Sequence, residues 1–304
     1  MKSPILCSMK DLLKKIILFC AFVPSSLIFL TNVYKEIAYR FCLSNICYEK
    51  TNFRPKEFIS PSPNEEVLAI LNQKFHYLGQ GNQSYAFESE DSKYVLKFFK
   101  FGHLKPFSLP IPFLQEHFKA KAKSQEKRFL KVFEGYKIAY TEDPENSALL
   151  FIHLNKRDHL KKELFLRDRF GIAHTINLND VAFVLQEKVI PTKEVFKQLF
   201  KQQDIEGVKR RIGQLFDLYI AQYKKGLYDR DHNLMYNTGF KGKKAIRLDV
   251  GKLRKEPFFK EPANYRKDLE KIAFERILRW VKKYYPDYEN EITLTLMDLL
   301  ANVQ

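Results

Sequence analysis

Short apolar runs with a two-residue period come first along this chain, and three-to-four-residue spacing takes over later. A short helix over 65–73 leads into strands near 75–78 and 85–89, separated by a Gly-rich turn, and YVLKFF (94–99) reads as a third strand rich in aromatic and branched residues. Pro106, Pro110 and Pro112 then interrupt the chain before a long helical pattern over 113–141. Its apolar face carries Phe118, Ala122, Phe129, Phe133, Tyr136 and Tyr140, at spacings of three, four and seven. ALLFIHL (148–154) and VAFVLQEKV (181–189) read as buried strands, with another over 175–178. Helix returns over 193–225 and stops at Gly226, a common helix terminator. A loop, a hairpin and two closing helices (264–283 and 289–302) complete the pattern. Strands early, helices late and one helix inserted among the strands predict an α+β fold in two lobes, 65–190 and 191–304.

The stretch before residue 65 differs. Residues 51–64 hold Pro55, Pro61 and Pro63 with Ser60 and Ser62, and read as a linker. Within 1–50, Ile16 to Leu30 is a run of fifteen residues without a charge, preceded by Lys10, Lys14 and Lys15. Extended through Val33 or Tyr34, it approaches the roughly 20 residues that span a bilayer. An uncleaved apolar membrane-anchor helix ranks first, a cleaved signal second and a buried helix third, because no small-x-small cleavage site is present. The expected localisation is therefore at a membrane. The side stays open, since Lys35, Arg40, Lys50, Arg54 and Lys56 follow the run and weaken the charge asymmetry.

Composition adds two constraints. An aromatic share of 14% fits a well-filled core, and 52 Lys plus Arg against 36 Asp plus Glu gives a net charge of +16 that attracts polyanions. The basic residues are spread along the chain without a recognised binding module, so nucleic acid is not an expected partner. The cysteines, Cys7, Cys20, Cys42 and Cys47, show no zinc spacing and no disulfide framework.

Four segments carry candidate chemistry. GQGNQSYAF (79–87) lies between two predicted strands; Gly79 and Gly81 would let the backbone approach phosphates, with Ser84 where a third glycine would stand. A hairpin turn is the plain alternative for this segment alone. Lys97, in YVLK, follows Gly81 by 16 residues. Buried among apolar neighbours, its ammonium costs free energy unless an anion meets it; otherwise it is a surface lysine on an alternating strand. YDRDHNLMYNTG (228–239) puts acids and an amide directly after a helix, and AIRLDVGKL (245–253) ends a strand at Asp249. A carboxylate with a nearby amide oxygen is the donor pair that holds magnesium on ATP phosphates.

In this order the four segments resemble the protein-kinase-like superfamily over 65–304. GQGNQSYAF is similar to its Gly-rich loop, YVLK to its V-A-I-K strand, DRDHN to its catalytic loop and LDVG to its D-F-G metal site. The stretch from Asp229 to Gly251 also resembles the phosphoinositide kinases. The resemblance implies a two-lobed protein-kinase-like fold that uses ATP and Mg²⁺ to phosphorylate an unidentified acceptor. It implies Lys97 on the α/β-phosphates, Asp229 as catalytic base, and Asn233 and Asp249 as magnesium ligands. Glu126 on the long helix would pair with Lys97, beside the face made by Ala122, Phe129 and Phe133, while Glu116 and Glu134 project away from that face. Glu187 and Val189 would offer hinge backbone groups to adenine.

Departures from the family pattern leave alternatives. Asp229 and Asn233 are four apart where the family has five, which makes Asp231 the competing acid. Asn237, twelve residues before Asp249, is a second metal candidate; Asn233 is preferred because LMY follows it as a strand. Val250 replaces the Phe of D-F-G and no A-P-E segment follows, which points away from a conventional protein kinase and towards a lipid, glycan or other acceptor. A pseudokinase that binds nucleotide without turnover is the competing reading.

Overall fold

The structure, a computed structural model, describes residues 19–20, 22–30, 41–48, 51, 53, 55, 58, 60–104, 112–156, 160 and 162–303. The chain divides into two units, Met1–Leu43 and Ser44–Gln304. In the first, residues 22–30 are helical and expose Phe22, Leu27, Ile28, Phe29 and Leu30. Much of the expected anchor lies outside the described residues. Among those described, no helix is long and apolar enough to cross a membrane.

The second unit is a mixed α+β structure built on a curled seven-stranded sheet. In chain order its strands are β1 (Phe75–Gln80), β2 (Ser84–Ser89), β3 (Tyr94–Phe99), β4 (Leu149–His153), β5 (Glu163–Arg167), β6 (Ala173–Asn177) and β7 (Phe183–Glu187). Their spatial order is β4-β7-β3-β2-β1-β5-β6. Every pairing is antiparallel except β1 with β5, where Phe75 faces Leu166. Register shifts at Tyr77/Gly79 in β1 and Leu149/Phe151 in β4 add the local bend that bulges impose. The sequence reading omits β5. Its Glu-Leu-Phe-Leu-Arg alternation buries Leu164 and Leu166 and exposes Glu163, Phe165 and Arg167.

Helix α1 (Glu65–Ile70) starts at Asn64, whose side chain accepts from Val67 N. Helix α2 (Pro112–Glu142) crosses behind the sheet with Phe129, Val132, Phe133 and Tyr136 buried. The side chains of Glu116 and Phe118 lie outside the described residues. Phe133 meets Phe99 of β3 at 4.9 Å and Phe53 at 5.7 Å between ring centroids. The stretch 51–64, expected as a linker, thus contributes Phe53 and Phe58 to this aromatic cluster. Ser60 adds to that attachment, donating to Asn155 Oδ1 and accepting from Leu154 N.

Beyond the sheet, β8 (Ile190–Pro191) leads into α3 (Thr192–Lys201) and α4 (Ile205–Lys224). These replace the single helix expected over 193–225. Gln203 takes a left-handed φ of 55°, and Asp204 caps the new helix by accepting from Gly207 N at 2.7 Å. An N-cap bond of this kind restarts a helix because it satisfies an amide with no partner in the first turn. Strands β9 (Leu227–Asp229), β10 (Thr238–Lys241), β11 (Lys244–Arg247) and β12 (Leu253–Lys255) follow, with one helical turn at Leu234–Asn237. Helix α5 (Pro262–Lys271) runs through a π-helical stretch, Ile272–Leu278, into α6 (Arg279–Tyr284), and α7 (Glu289–Ala301) closes the chain. Their apolar faces pack on α3 and α4 in a second core around Ile212, Phe216, Ile277 and Leu296.

Candidate functional site

Lys97 sits on β3 between Ala86 of β2 and Val184 of β7. Its Nζ crosses to the far half of the fold and donates to the carbonyl of Leu248 at 2.6 Å. That carbonyl also takes Gln186 Nε2 at 3.4 Å. Burial pushes the Lys97 ammonium below its usual range, and the charge of Asp249 pulls it part of the way back.

Asp249 follows β11 and remains exposed. Its Oδ1 accepts from Gly251 N at 3.0 Å, which folds the short loop back on itself. The loop is clamped against α2. A Cβ placed on Gly135 would lie 2.3 Å from Val250 O, so the helix backbone approaches the loop where only glycine fits. Tyr136, on the next position of α2, has its hydroxyl pushed above its usual range by burial and by Asp249. The charge of Asp249 also reaches Asp229.

Asp229 ends β9 and is buried. Its Oδ2 takes Arg247 Nη1 at 2.6 Å, and its Oδ1 accepts from Asp231 N at 2.8 Å. Arg247 also donates to Gln222 Oε1, through Nε at 3.0 Å and Nη2 at 2.6 Å, and its guanidinium lies 4.5 Å from the Tyr219 ring centroid. Gln222 passes the network on to Asp143, which is closed by Lys225 at 2.8 Å. Burial raises the Asp229 carboxyl above its usual range, against the opposing pull of Arg247. With both oxygens engaged and almost no exposed surface, Asp229 is built as a brace.

Asp231 is the accessible acid of the loop. Burial raises its carboxyl, but hydrogen bonding and charge from Lys252, 2.9 Å away, hold it below the ordinary carboxylate range. The two asparagines separate clearly. Asn233 is exposed at the start of the helical turn, so LMY continues as helix rather than as the strand that favoured Asn233. Asn237 is buried; its carbonyl takes Leu248 N at 2.7 Å and Asp249 N at 3.4 Å, and its side chain bonds to Asp231. His232 is held 3.2 Å from Asp268, which bonds Tyr228 as well, so the loop is tied to α5.

The turn between β1 and β2 lies open on its glycine side. A Cβ on Gly79 or Gly81 would meet nothing within 4 Å. Gly81 N donates to Ser84 O at 2.9 Å. Lys100, just past β3, secures the turn by donating to Gln80 Oε1 at 3.0 Å and Gly81 O at 2.7 Å while lying over the Tyr85 ring. Burial pushes its ammonium down to about 8. Sequence reasoning missed Lys100; its place three residues after Lys97 was the available signal.

Glu126 is not brought to Lys97. It is exposed on α2, and the helix face behind the sheet carries Val132 and Tyr136 instead. Glu187 ends β7 with its backbone paired to Tyr94, and its carboxylate is taken by Lys241 through both oxygens, at 2.7 and 2.6 Å. Val189 packs with Ala148, Ile246 and Leu248 in a small apolar patch next to the carbonyl that Lys97 reaches.

No protein-family model and no curated protein matches the chain. Solved structures give distant likenesses. The bifunctional kinase-methyltransferase WbdD aligns at a TM-score of 0.36 and 15% identity over 74% of this chain and 45% of its own. A second WbdD structure gives 0.38 and 16% over 77% and 47%. Rv3197 from Mycobacterium tuberculosis, solved with erythromycin, gives 0.29 and 14% over 65% and 53%. The chain therefore spans about half the length of these proteins, and likenesses this distant carry no functional argument.

Among the described residues, no group of three or more His, Cys, Asp or Glu is placed to hold a metal. Asp249 with an asparagine offers oxygen donors only, the set a hard divalent cation takes when phosphate oxygens and water complete its shell.

Proposed function

We propose that this chain is a kinase-like phosphotransferase that binds Mg-ATP and transfers the γ-phosphoryl group to a hydroxyl acceptor. The observation that carries the reading is the meeting of Lys97 with the Leu248–Gly251 loop. A half-buried lysine 151 residues away reaches the carbonyl preceding Asp249, and Asp249 is its opposing charge. A cation and a carboxylate from distant segments, beside a turn with open space at its glycines, form a suitable arrangement for a metal-bound polyphosphate.

In this reading Lys97 binds phosphate oxygens, and Asp249 with Asn237 holds magnesium, with Asn233 as the alternative ligand. Magnesium, when bound, neutralises charge on the transferring group. Asp231, accessible and kept ionised by Lys252, accepts the proton of the attacking hydroxyl. The acceptor oxygen bonds to the γ-phosphorus as its bond to the bridging oxygen breaks, and ADP leaves. Asp229 fixes the loop through Arg247. Leu248, the partly buried member of the cluster with Ala148, Val189 and Ile246, offers an apolar side chain to adenine. The two halves of the fold, each with its own core, fit the two-lobed kinase-like plan, and the apolar N-terminal run would hold the enzyme at a membrane.

The test is ADP release from Mg-ATP by the full chain, compared with Asp249→Asn. Loss of turnover in the variant, with its melting temperature kept, supports the mechanism; equal rates reject it. A non-catalytic nucleotide-binding module is favoured by one observation, the engagement of both Asp229 oxygens within the fold. It predicts thermal stabilisation by Mg-ATP without ADP release.

A further inference from the structure

Beside the candidate nucleotide residues, a cavity of about 450 Å³ opens between α2, the loop after Asp229 and the segment Gly251–Arg254. Five of its lining side chains are cationic: Arg128, Lys131, Arg230, Lys252 and Arg254. Among the described residues, no acidic one lines it. Nearby carboxylates answer only part of this charge. Glu256 holds Arg230 at 2.9 Å and Asp231 holds Lys252 at 2.9 Å, while Glu134 and Asp229 act on Arg254 from a distance. Among the described residues, Arg128 and Lys131 form no ion pair. Burial and the repulsion of Arg230 together push the Arg254 guanidinium below its usual range. Like charges gathered around a concave surface without matching acids repel one another, and an anion entering there relieves that repulsion.

Position gives the cavity a role. It shares Gly251 with the loop of Asp249, and Arg230 stands between Asp229 and Asp231. Its volume falls in the range of small-molecule sites, about 300–1,000 Å³. We infer that this cavity binds the acceptor, and that the acceptor is a hydroxyl compound already carrying a phosphate group, such as a sugar phosphate, free or as a lipid headgroup. The phosphate sits among Arg128, Lys131 and Arg254, and the free hydroxyl lies towards Asp231. The acceptor role rests on the phosphotransferase reading above; the anion site itself does not.

The experiment uses the full chain and two probes, glucose 6-phosphate in solution and phosphatidylcholine vesicles with or without phosphatidic acid. The variant is Arg128→Gln/Lys131→Gln, and the control is Lys123→Gln/Lys127→Gln, the same change in charge on exposed positions of the same helix that do not line the cavity. Two lost charge-assisted bonds should weaken the phosphate probe by roughly tenfold or more in the variant, with little change in the control. The loss should shrink as salt is added. Effects confined to glucose 6-phosphate mark a soluble acceptor, and effects confined to the acidic vesicles mark a lipid-borne one. Equal affinity in wild type, variant and control overturns the site. Mg-AMP-PNP binding, measured in parallel, should be unchanged by the variant. If the wild-type chain fails to bind Mg-AMP-PNP, the nucleotide reading falls, while the phosphate probe still decides whether the anion site exists.

Discussion

Replacing Arg247 with methionine gives the sharpest test of the buried network beneath the loop. Arg247 and Asp229 are each 1% exposed at the side chain, and the pair closes at 2.6 Å. Removing one member of a buried pair leaves a charge without compensation, which typically costs about 3–5 kcal/mol. Gln222 Oε1 also loses both of its Arg247 donors, at 3.0 and 2.6 Å, and stranding a buried acceptor costs about 1–3 kcal/mol. The two contributions overlap, so the expected loss is about 4 kcal/mol near pH 7. Acidity supplies the second readout. Burial already raises the Asp229 carboxyl in the folded chain, against the pull of Arg247. A carboxyl raised on folding binds more protons in the folded state than in the unfolded one. Its favourable contribution is therefore complete below the unfolded pKa and is lost as pH rises through the folded pKa. Without Arg247 the folded pKa rises further, so the deficit of the variant should shrink between about pH 7 and about pH 5. Urea denaturation of both chains at the two pH values measures this. The double variant Arg247→Met/Asp229→Asn should recover at least about 2 kcal/mol of the loss. A deficit below about 1 kcal/mol, or one unchanged on acidification, would refute the argument.

Two further outcomes are expected at the site. Lys100→Met should loosen the turn between β1 and β2 and raise KM for Mg-ATP more than it lowers kcat. Because the folded Lys100 pKa is depressed to about 8, below the unfolded value of about 10.4, wild-type stability should gain on the variant as pH rises through that window, as melting temperatures would record. Gly135→Ala forces a methyl to within 2.3 Å of Val250 O and should cost about 1–3 kcal/mol of stability, with a fall in turnover from displacement of the Asp249 loop; an unchanged melting temperature would contradict the packing.

Much of the sheet was legible because its strands carry local signals. YVLKFF and VAFVLQEKV are too apolar to lie elsewhere, and the α2 period placed Phe129, Phe133 and Tyr136 on one face. Strand β5 was not legible: Phe165 in its exposed row blurs the alternation, and its parallel partner β1 lies about ninety residues earlier in the chain. Composition marked 51–64 as a linker because prolines and serines dominate it, yet tertiary packing uses Phe53 and Phe58. At the site, motif order singled out Lys97, Asp229 with Asp231 as its alternative, Asn233 and Asp249, and Lys97 meets the loop that carries Asp249. The roles within DRDHN were not readable from spacing. Which acid is buried depends on Arg247 from β11, and which asparagine lies beside Asp249 depends on whether LMY forms helix or strand.

That dependence bears on why the network exists. A buried Arg–Asp pair is a poor way to gain stability, since well-packed apolar side chains of similar volume often do as well or better. This pair belongs to a chain of hydrogen bonds, Lys225 to Asp143, Gln222, Arg247 and Asp229, that ends at the backbone of Asp231. An apolar core would leave the Asp231 amide without that acceptor and free the loop to rotate. Hydrogen bonds have direction, so a satisfied network holds one arrangement where hydrophobic packing would tolerate several. Asp231 is thereby held between Lys252 and Asn237, and Asn237 in turn holds the backbone of Asp249. The buried charges serve to position two carboxylates, Asp231 and Asp249, which the proposed reaction would use for a proton and for a metal, and whose relative placement would otherwise rest on a flexible loop.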